Sequence, residues 1–199
     1  MKKRYFAAGI SVILLAVIDQ IIKYFVVKNM EFGVYKPVIG DILGLEYIQN
    51  TGSAWGMLSK YTFILTILSI VILLAVIYAY KNVSCSDRYR IIRILMVFVA
   101  GGAIGNLIDR IRLKYVVDYI YVKCINFPVF NFADICVTVS MILLILLIIF
   151  KFNGKDFDVI LGEASFSESG EYVYKHPEKA EISETDDKND TDNESDSDE

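Results

Sequence analysis

The stretch NFADICVTVSMILLILLIIFK, residues 131–151, decides the fold class of this chain. Between Ile135 and Phe150 it contains no charged residue, and a helix of about 20 residues is long enough to cross the apolar part of a bilayer. In water such a helix would have to be buried on every face, whereas in lipid it satisfies its own backbone hydrogen bonds. The stretch therefore predicts a transmembrane helix.

Three more stretches have the same character, and 55% of the 199 residues are hydrophobic, above the roughly 45–50% of soluble domains. The first stretch follows Lys2-Lys3-Arg4 and could be a secretory signal. However, no small-x-small cleavage site follows it, and the apolar pattern continues past Asp19 and Lys23, so a retained helix is predicted. With residues 131–151, the expected spans are Tyr5–Val27, Tyr61–Tyr80, Ile91–Arg110 and Asn131–Lys151.

The charge of the chain is unevenly distributed. Residues 1–151 contain 16 Lys/Arg and 8 Asp/Glu, a net charge of +8, whereas residues 152–199 contain 4 and 16, a net charge of −12. The basic residues are spread between apolar segments and form no stripe, which argues against nucleic-acid binding. We expect a four-helix membrane domain over residues 1–152 and a disordered acidic tail over 153–199. That tail could be merely solvating or could bind a partner.

Positive residues in short loops predict the orientation. The N-terminus, the segment between the second and third spans, and the end of the fourth span carry nine Lys/Arg, against seven on the other side. Both termini are therefore expected to be cytoplasmic. On the outer side, alternation over residues 43–50 predicts a short strand, residues 115–122 are too short to span and are expected at the membrane interface, and Trp55 is expected to be an interface anchor.

Polar residues, which are energetically unfavourable inside a bilayer, cluster at one depth near the outer ends of the spans. An ionisable group at the bilayer centre costs about 2.5–3.5 kcal/mol on insertion scales, so a shared depth indicates one shared site. Residues three or four apart share a helix face, whereas Asp109 is rotated away from the face of Arg110 and is expected to meet headgroups or to cap another group. The pairs that share a face are Asp19 with Lys23, Asn106 with Arg110, and Asn131 with Asp134.

Two carboxyl groups, Asp118 and Asp134, suggest an acid/base pair. If they approach each other, one is pushed towards protonation while the other stays ionised, which suits proton transfer to and from an attacked peptide bond. Other machinery is not evident in the sequence: the single histidine is His176, the three cysteines lack zinc-site spacing, and no phosphate-binding glycine loop is present. No metal or cofactor is expected.

Five blocks together resemble the lipoprotein signal peptidases (signal peptidase II). They are DQIIK (19–23), NTGSAW (50–55), GGAIGNLIDR (101–110), VVDY (116–119) and FNFAD (130–134), in the order and spacing of that family over residues 1–151. Ser53 and Trp55 stand where other small and aromatic residues are common, and the tail has no counterpart in the family core.

The resemblance implies an all-α membrane protein of four transmembrane helices, with a small extracytoplasmic β-rich loop (a β-cradle), in the bacterial cytoplasmic membrane. Its activity would be that of an aspartyl endopeptidase that cuts diacylglyceryl-modified prolipoproteins just before the lipidated cysteine, in contact with membrane lipids and open to inhibition by globomycin. Asp118 and Asp134 would form the catalytic dyad at the outer face. Substrate-binding or supporting roles would fall to Asn50, Gly102, Asn106, Arg110, Asn131, Ala133, Asp19 and Lys23.

Structural interpretations of the same residues remain open. Asp19 and Lys23 could form only a salt bridge, Gly101-x-x-x-Gly105 could serve close helix packing while Gly102 clears room for substrate, Arg110 could reach lipid phosphates, and Asn131 could cap the fourth helix. A transporter could use the same acids as a proton relay, but it would place them near the midplane. A non-enzymatic assembly protein would not need two convergent acids, and the Gly-x-Gly-Asp motif of another intramembrane protease class is absent from the sequence.

Overall fold

The structure is a computed structural model that describes residues 2–52, 62–167 and 169–176. Within these residues, four helices are long and apolar enough to cross a membrane. The four helices are α1 (Lys2–Asn29), α2 (Thr62–Asn82), α3 (Arg90–Leu113) and α4 (Phe132–Lys151). The first and third predicted spans lie entirely within α1 and α3, and the second and fourth match α2 and α4 except for their first residue. The prediction of a multi-helix membrane protein is confirmed.

The outer surfaces of these helices are apolar. Phe63 on α2 is 75% exposed and Phe150 on α4 is 81% exposed, and none of the most apolar window of α2 is buried. Large exposed side chains of this kind are costly in water and favourable against lipid chains. The exposed apolar residues of these helices therefore form the lipid-facing surface.

The chain divides into two compact units, which are described separately. Unit 1 contains residues 1–77 and 94–143, and unit 2 contains residues 78–93 and 144–199. Unit 1 holds most of α1 to α4 together with a three-stranded antiparallel sheet. The strands are β1 (Tyr35–Ile39), β2 (Leu43–Asn50) and β3 (Val116–Val122), in the order β1-β2-β3.

The sheet follows from local sequence features. Gly40 has φ +48° at the turn between β1 and β2, a conformation that glycine adopts without steric cost. Pro37, which has no backbone donor, lies on the edge strand β1. The strand predicted over residues 43–50 is confirmed at both ends, whereas residues 115–122, expected only to lie at the interface, instead supply β3, which pairs with β2.

Glycines of α3 bring the helices of unit 1 into close contact. A Cβ on Gly102 would lie 2.5 Å from the carbonyl oxygen of Ala133 on α4, and one on Gly101 would lie 2.7 Å from the Cβ of Leu15 on α1. These separations are shorter than van der Waals contact, so only glycine permits them. The packing interpretation of the glycine pattern is supported, and the space beside Gly102 is filled by the backbone of α4.

Unit 2 contains a folded C-terminal extension. Its elements are a helix, α5 (Gly154–Leu161), and a two-stranded hairpin, β4 (Ala164–Phe166) with β5 (Tyr172–Tyr174). Asn153 caps α5, accepting from the backbone N–H of Asp156, while the carboxylate of Asp156 accepts from the N–H of Asn153 in return. This reciprocal capping begins the helix.

The core of unit 2 combines this extension with the segment between α2 and α3. Tyr89, fully buried, stacks on Phe152 at 5.7 Å between ring centroids and meets Phe166 edge-on. The Asp156 carboxylate is also fully buried and accepts from the Arg88 guanidinium at 2.6 and 2.9 Å and from the Tyr89 hydroxyl. Burial raises the pKa of Asp156, but these hydrogen bonds outweigh it and hold the pKa below its ordinary value.

Residues 153–176 therefore differ from the disordered tail that the sequence predicted. The extension is acidic, but its Val159 and Ala164 are buried, and its Phe166 packs edge-on against Tyr89, which lies far from it in the chain. That long-range burial supplies the apolar contacts that the segment lacks by itself. The most acidic stretch, 177–199, lies outside the described residues, as does Trp55.

Candidate active site

Asp118 lies on β3 with its side chain almost completely buried, at 1% exposure. Its two carboxyl oxygens accept hydrogen bonds from two asparagine amides: the Nδ2 of Asn131 at 2.6 Å and the Nδ2 of Asn50 at 2.8 Å. Asn50 ends the neighbouring strand β2, and its Oδ1 accepts from the backbone N–H of Gly52 at 2.9 Å. That contact sets the orientation of the Asn50 amide, so that its donor points at Asp118.

Asp134 lies in the first turn of α4. It accepts from the Nδ2 of Asn106 on α3 at 2.7 Å and from the backbone N–H of Asn131 at 3.2 Å. In return, the Oδ1 of Asn131 accepts from the backbone N–H of Asp134 at 2.9 Å. These reciprocal bonds cap α4, and they also hold the carboxyl group of Asp134 at the end of the helix.

Asn131 connects the two carboxyl groups. Its backbone N–H contacts Asp134, while its Nδ2 contacts Asp118 and also lies 3.1 Å from the Oδ1 of Asn106. The side chain is fully buried, so water does not compete for these bonds. The capping role and the site role considered for Asn131 are therefore compatible, because different atoms of one residue perform them.

The electrostatic setting of Asp118 favours proton binding. Burial and the nearby charge of Asp134 raise the pKa of the Asp118 carboxyl to about 7, despite the opposing effect of the two asparagine donors and of Lys23. A carboxyl group with a pKa near neutrality can both hold and release a proton under ordinary conditions. Paired with a second carboxyl group through Asn131, it has the properties of an acid/base site.

An ion cluster of three charged residues lies beside this pair. Lys23 on α1 contacts Asp19 at 2.8 Å and Asp109 at 3.0 Å, and each of the three side chains is at most 3% exposed. The Nζ of Lys23 also donates to the Oδ1 of Asn106 at 2.8 Å. Because that oxygen is occupied, the Nδ2 of Asn106 faces Asp134. The Asp19–Lys23 ion pair is present as predicted.

Asp109 is a residue that sequence reasoning misplaced. It does not face headgroups but is buried, where it accepts from Lys23, from the side chain of Gln20 at 2.9 Å and from the backbone N–H of Val117 at 3.1 Å. The last of these bonds satisfies the alternative expectation that it caps another group. Its position three residues after Asn106 was the available signal, since such residues share a helix face.

Gly102 and Ala133 support the site by packing. The backbone N–H of the fully buried Ala133 donates to the Oδ1 of Asp19 at 3.2 Å, which connects α4 to α1. Gly102 allows α3 to approach the carbonyl oxygen of Ala133. These contacts bring the ion cluster and the carboxyl pair together.

Arg110, which shares a helix face with Asn106, contacts α2. Its Nη1 donates to the Oγ of Ser69 on α2 at 3.2 Å, so it connects α3 to α2. A role towards substrate stays a prediction. Among residues 2–52, 62–167 and 169–176, no group of three or more His, Cys, Asp or Glu side chains could hold a metal ion.

These features define a class: a multi-pass membrane protein whose buried polar site contains two carboxyl groups held by asparagines. The comparison with known families is more specific, because residues 11–150 match the family described as signal peptidase (SPase) II. The chain belongs to this family, and it is accordingly a protease of bacterial membranes.

Individual relatives agree with this assignment. The lipoprotein signal peptidase of Latilactobacillus sakei subsp. sakei (strain 23K) is 38% identical over 139 residues, covering 70% of this chain and 91% of the relative. That of Streptococcus pyogenes serotype M5 (strain Manfredo) is 35% identical over 146 residues, covering 73% and 93%. A solved bacterial membrane enzyme superposes with a TM-score of 0.64 at 30% identity, covering 72% of this chain and 87% of its own.

Proposed function

We propose that this protein removes signal peptides from diacylglyceryl-modified prolipoproteins and cuts each one on the N-terminal side of the lipidated cysteine. The family and its named relatives support prolipoproteins as the substrate class. An aspartyl mechanism is supported by the hydrogen bonds of Asn131, a buried residue that contacts both Asp118 and Asp134. One asparagine with bonds to both carboxyl groups holds them as a unit.

The two carboxyl groups would divide the proton transfers between them. At rest the pair carries one proton, and Asp118, whose pKa is raised to about 7, can hold or release it. The ionised carboxyl group accepts a proton from the attacking water as the water oxygen bonds to the peptide carbonyl carbon, while the protonated carboxyl group donates to the developing oxyanion. When the C–N bond breaks, the carboxyl group that took the water's proton gives it to the leaving amine, and the other recovers a proton from the gem-diol as the new carboxyl terminus forms.

The asparagines and Lys23 would act as positioning residues. Each carboxyl group accepts from amide donors, which leaves fewer orientations open to it and directs its remaining lone pairs. Lys23 keeps the Asn106 amide oriented through a 2.8 Å hydrogen bond. Preorganised groups of this kind lower the barrier because they need not reorient as charge develops.

The membrane setting would explain how the enzyme can bind a substrate that carries lipid chains. The four membrane-length helices would let the diacylglyceryl chains stay in lipid while the peptide bond reaches the carboxyl pair. The charge distribution supports cytoplasmic termini and a site towards the outer face. A cyclic peptide of the globomycin type would block cleavage by occupying this site.

A cleavage assay with purified protein tests the proposal. The substrate is a diacylglyceryl-modified prolipoprotein, compared with its unlipidated form, and processing is read as a gel shift. The variants are Asp118→Asn, Asp134→Asn and, as the matched control, Asp41→Asn, which removes an 89% exposed carboxylate on the β1–β2 turn. Cleavage of the lipidated form alone, by wild type and control but by neither site variant, supports the proposal.

Near-normal turnover by Asp118→Asn or Asp134→Asn, in protein that unfolds cooperatively, would refute the two-carboxyl mechanism. Equal cleavage of both substrate forms would instead refute the lipid requirement. The two parts of the proposal can therefore fail separately.

A further inference from the structure

Helix α5 has one face that unit 2 does not cover. Asp156 and Val159 are fully buried, whereas Phe157 is 42% exposed and Leu161 is 50% exposed. Residues four apart lie on one helix face, so Phe157 and Leu161 form a single apolar strip that points away from the core. We refer to these two side chains as the α5 apolar strip.

Both ends of α5 are attached to helices that face lipid. Only Phe152 and Asn153 separate the end of α4 from the start of α5. At the other end, the hydroxyl of Tyr78 on α2 donates to the carbonyl oxygen of Leu161 at 3.0 Å. Gly162, which ends α5 with φ +81°, lies so close to Asn82 that a Cβ there would come within 2.6 Å of its Nδ2.

The contact with Tyr78 sets the depth of α5. Tyr78 precedes the last residue of α2 by four positions, which is about 6 Å along the helix axis, and α2 crosses the apolar layer with none of its most apolar window buried. Tyr78 is itself 58% exposed, and tyrosines at helix ends mark the boundary between headgroups and lipid chains. Leu161 adjoins that boundary.

We infer that the α5 apolar strip inserts into the headgroup–acyl boundary of the phospholipid leaflet on the side of the chain termini. The extension thus lies on the membrane surface rather than projecting into water. The matched region of the family ends at residue 150, so this surface belongs to a part of the chain beyond that match. Lys81 and Lys151, at the ends of α2 and α4, suit the phosphate level of the same leaflet.

Spin labels on single cysteines test this inference. The full chain, with Cys85→Ser, Cys124→Ser and Cys136→Ala, is placed in phosphatidylcholine–phosphatidylglycerol nanodiscs. A label is then attached at Phe157→Cys or Leu161→Cys. Glu171→Cys, on the exposed approach to β5, is the matched control within the same extension. Collisions with oxygen, which partitions into lipid, and with a water-soluble nickel complex give the depth of each label.

The expected result is a depth of about 5–10 Å below the phosphates at 157 and 161, with the control label in water. Frequent nickel collisions at 157 and 161 would overturn the inference, and so would protection from both reagents, because a second copy or a protein partner would then cover the strip.

A second measurement does not depend on the cysteine variants. Phe157→Trp in a Trp55→Phe background makes this position the sole tryptophan of the chain. Quenching of its fluorescence by brominated lipid chains is expected, and unquenched fluorescence would overturn the inference. Neither measurement involves cleavage, so failure here is distinct from failure of the proposed function.

Discussion

Replacing Asp118 with asparagine should remove activity and, at the same time, make the protein less sensitive to alkaline pH. The carboxyl group has an ordinary pKa of 3.8, which the folded protein raises to about 7 through burial and the charge of Asp134, against the opposing charge of Lys23. Between these two values the folded protein holds a proton that the unfolded chain has released. The free energy of unfolding therefore falls as pH rises through this window, and above about pH 7 the full destabilisation by the ionised Asp118 carboxylate is present.

The size of this effect follows from the shift. A rise of the pKa from 3.8 to about 7 lowers the free energy of unfolding by about 4 kcal/mol at pH 8. About 3 kcal/mol of this loss develops between pH 5 and pH 8. Asparagine does not titrate, so that part of the pH dependence should disappear. The replacement also has a cost of about 1–3 kcal/mol, because an amide can accept from only one of the two donors, Asn131 and Asn50.

The two effects predict that the order of stability of variant and wild type reverses between pH 5 and pH 8. The variant should be no more stable than wild type at pH 5 and more stable at pH 8, where wild type loses about 5–10 °C in Tm relative to pH 5. Loss of the acid should lower kcat by about 10²–10⁴-fold. Thermal unfolding is followed with a thiol-reactive dye that reports exposure of the buried Cys136, in a Cys85→Ser, Cys124→Ser background.

Asp41→Asn is the control, and it should show the wild-type pH dependence because its carboxylate is 89% exposed and pairs with Lys123 at the surface. If the Tm of Asp118→Asn falls by as many degrees between pH 5 and pH 8 as that of wild type, then Asp118 does not titrate near neutrality in the folded protein. A role for Asp118 in proton transfer near neutral pH would then be wrong.

Three further predictions concern the framework around the site. Lys23→Met leaves two buried carboxylates without their cation, and the same thermal assay should show a loss of about 3–5 kcal/mol; an unchanged Tm would contradict the ion cluster. Gly102→Ala forces a Cβ to within 2.5 Å of a carbonyl oxygen and should cost about 1–3 kcal/mol, whereas Gly9→Ala, with no atom within 4 Å, should cost nothing measurable. Asp156→Asn weakens the donor network of the extension, so limited proteolysis should cut residues 153–176 faster while turnover is unchanged; equal proteolysis would show that the network does not hold the extension.

The membrane helices could be read from the sequence because their signal is local. Two predicted spans lie wholly within one observed helix and the other two do so except for their first residue, since a continuous apolar run of about 20 residues has few alternative structures. Strand β2 was predictable for a similar reason, as alternation over residues 43–50 follows the turn at Gly40.

The features that were missed depend on distant partners. Strand β3 shows no clean alternation, and its hydrogen-bonding partner β2 lies about 70 residues earlier in the chain. The sequence predicts headgroup contact or a cap for Asp109, because its own helix does not show that Lys23 of α1 lies opposite. The sequence predicts a disordered extension because Tyr89, against which Phe166 packs, lies far from it in the chain.

Local patterns in the chain thus predicted a membrane protein of four spans with two carboxyl groups among its polar residues, because the length of an apolar run and the spacing of charges can be read along the sequence itself. Packing established how those residues work together. Asn50 and Asp118 are 68 positions apart, and Asp19 and the N–H of Ala133 are 114 apart. Such donors and acceptors meet only when the helices and sheet have assembled, and the burial that raises the pKa of Asp118 arises at the same step.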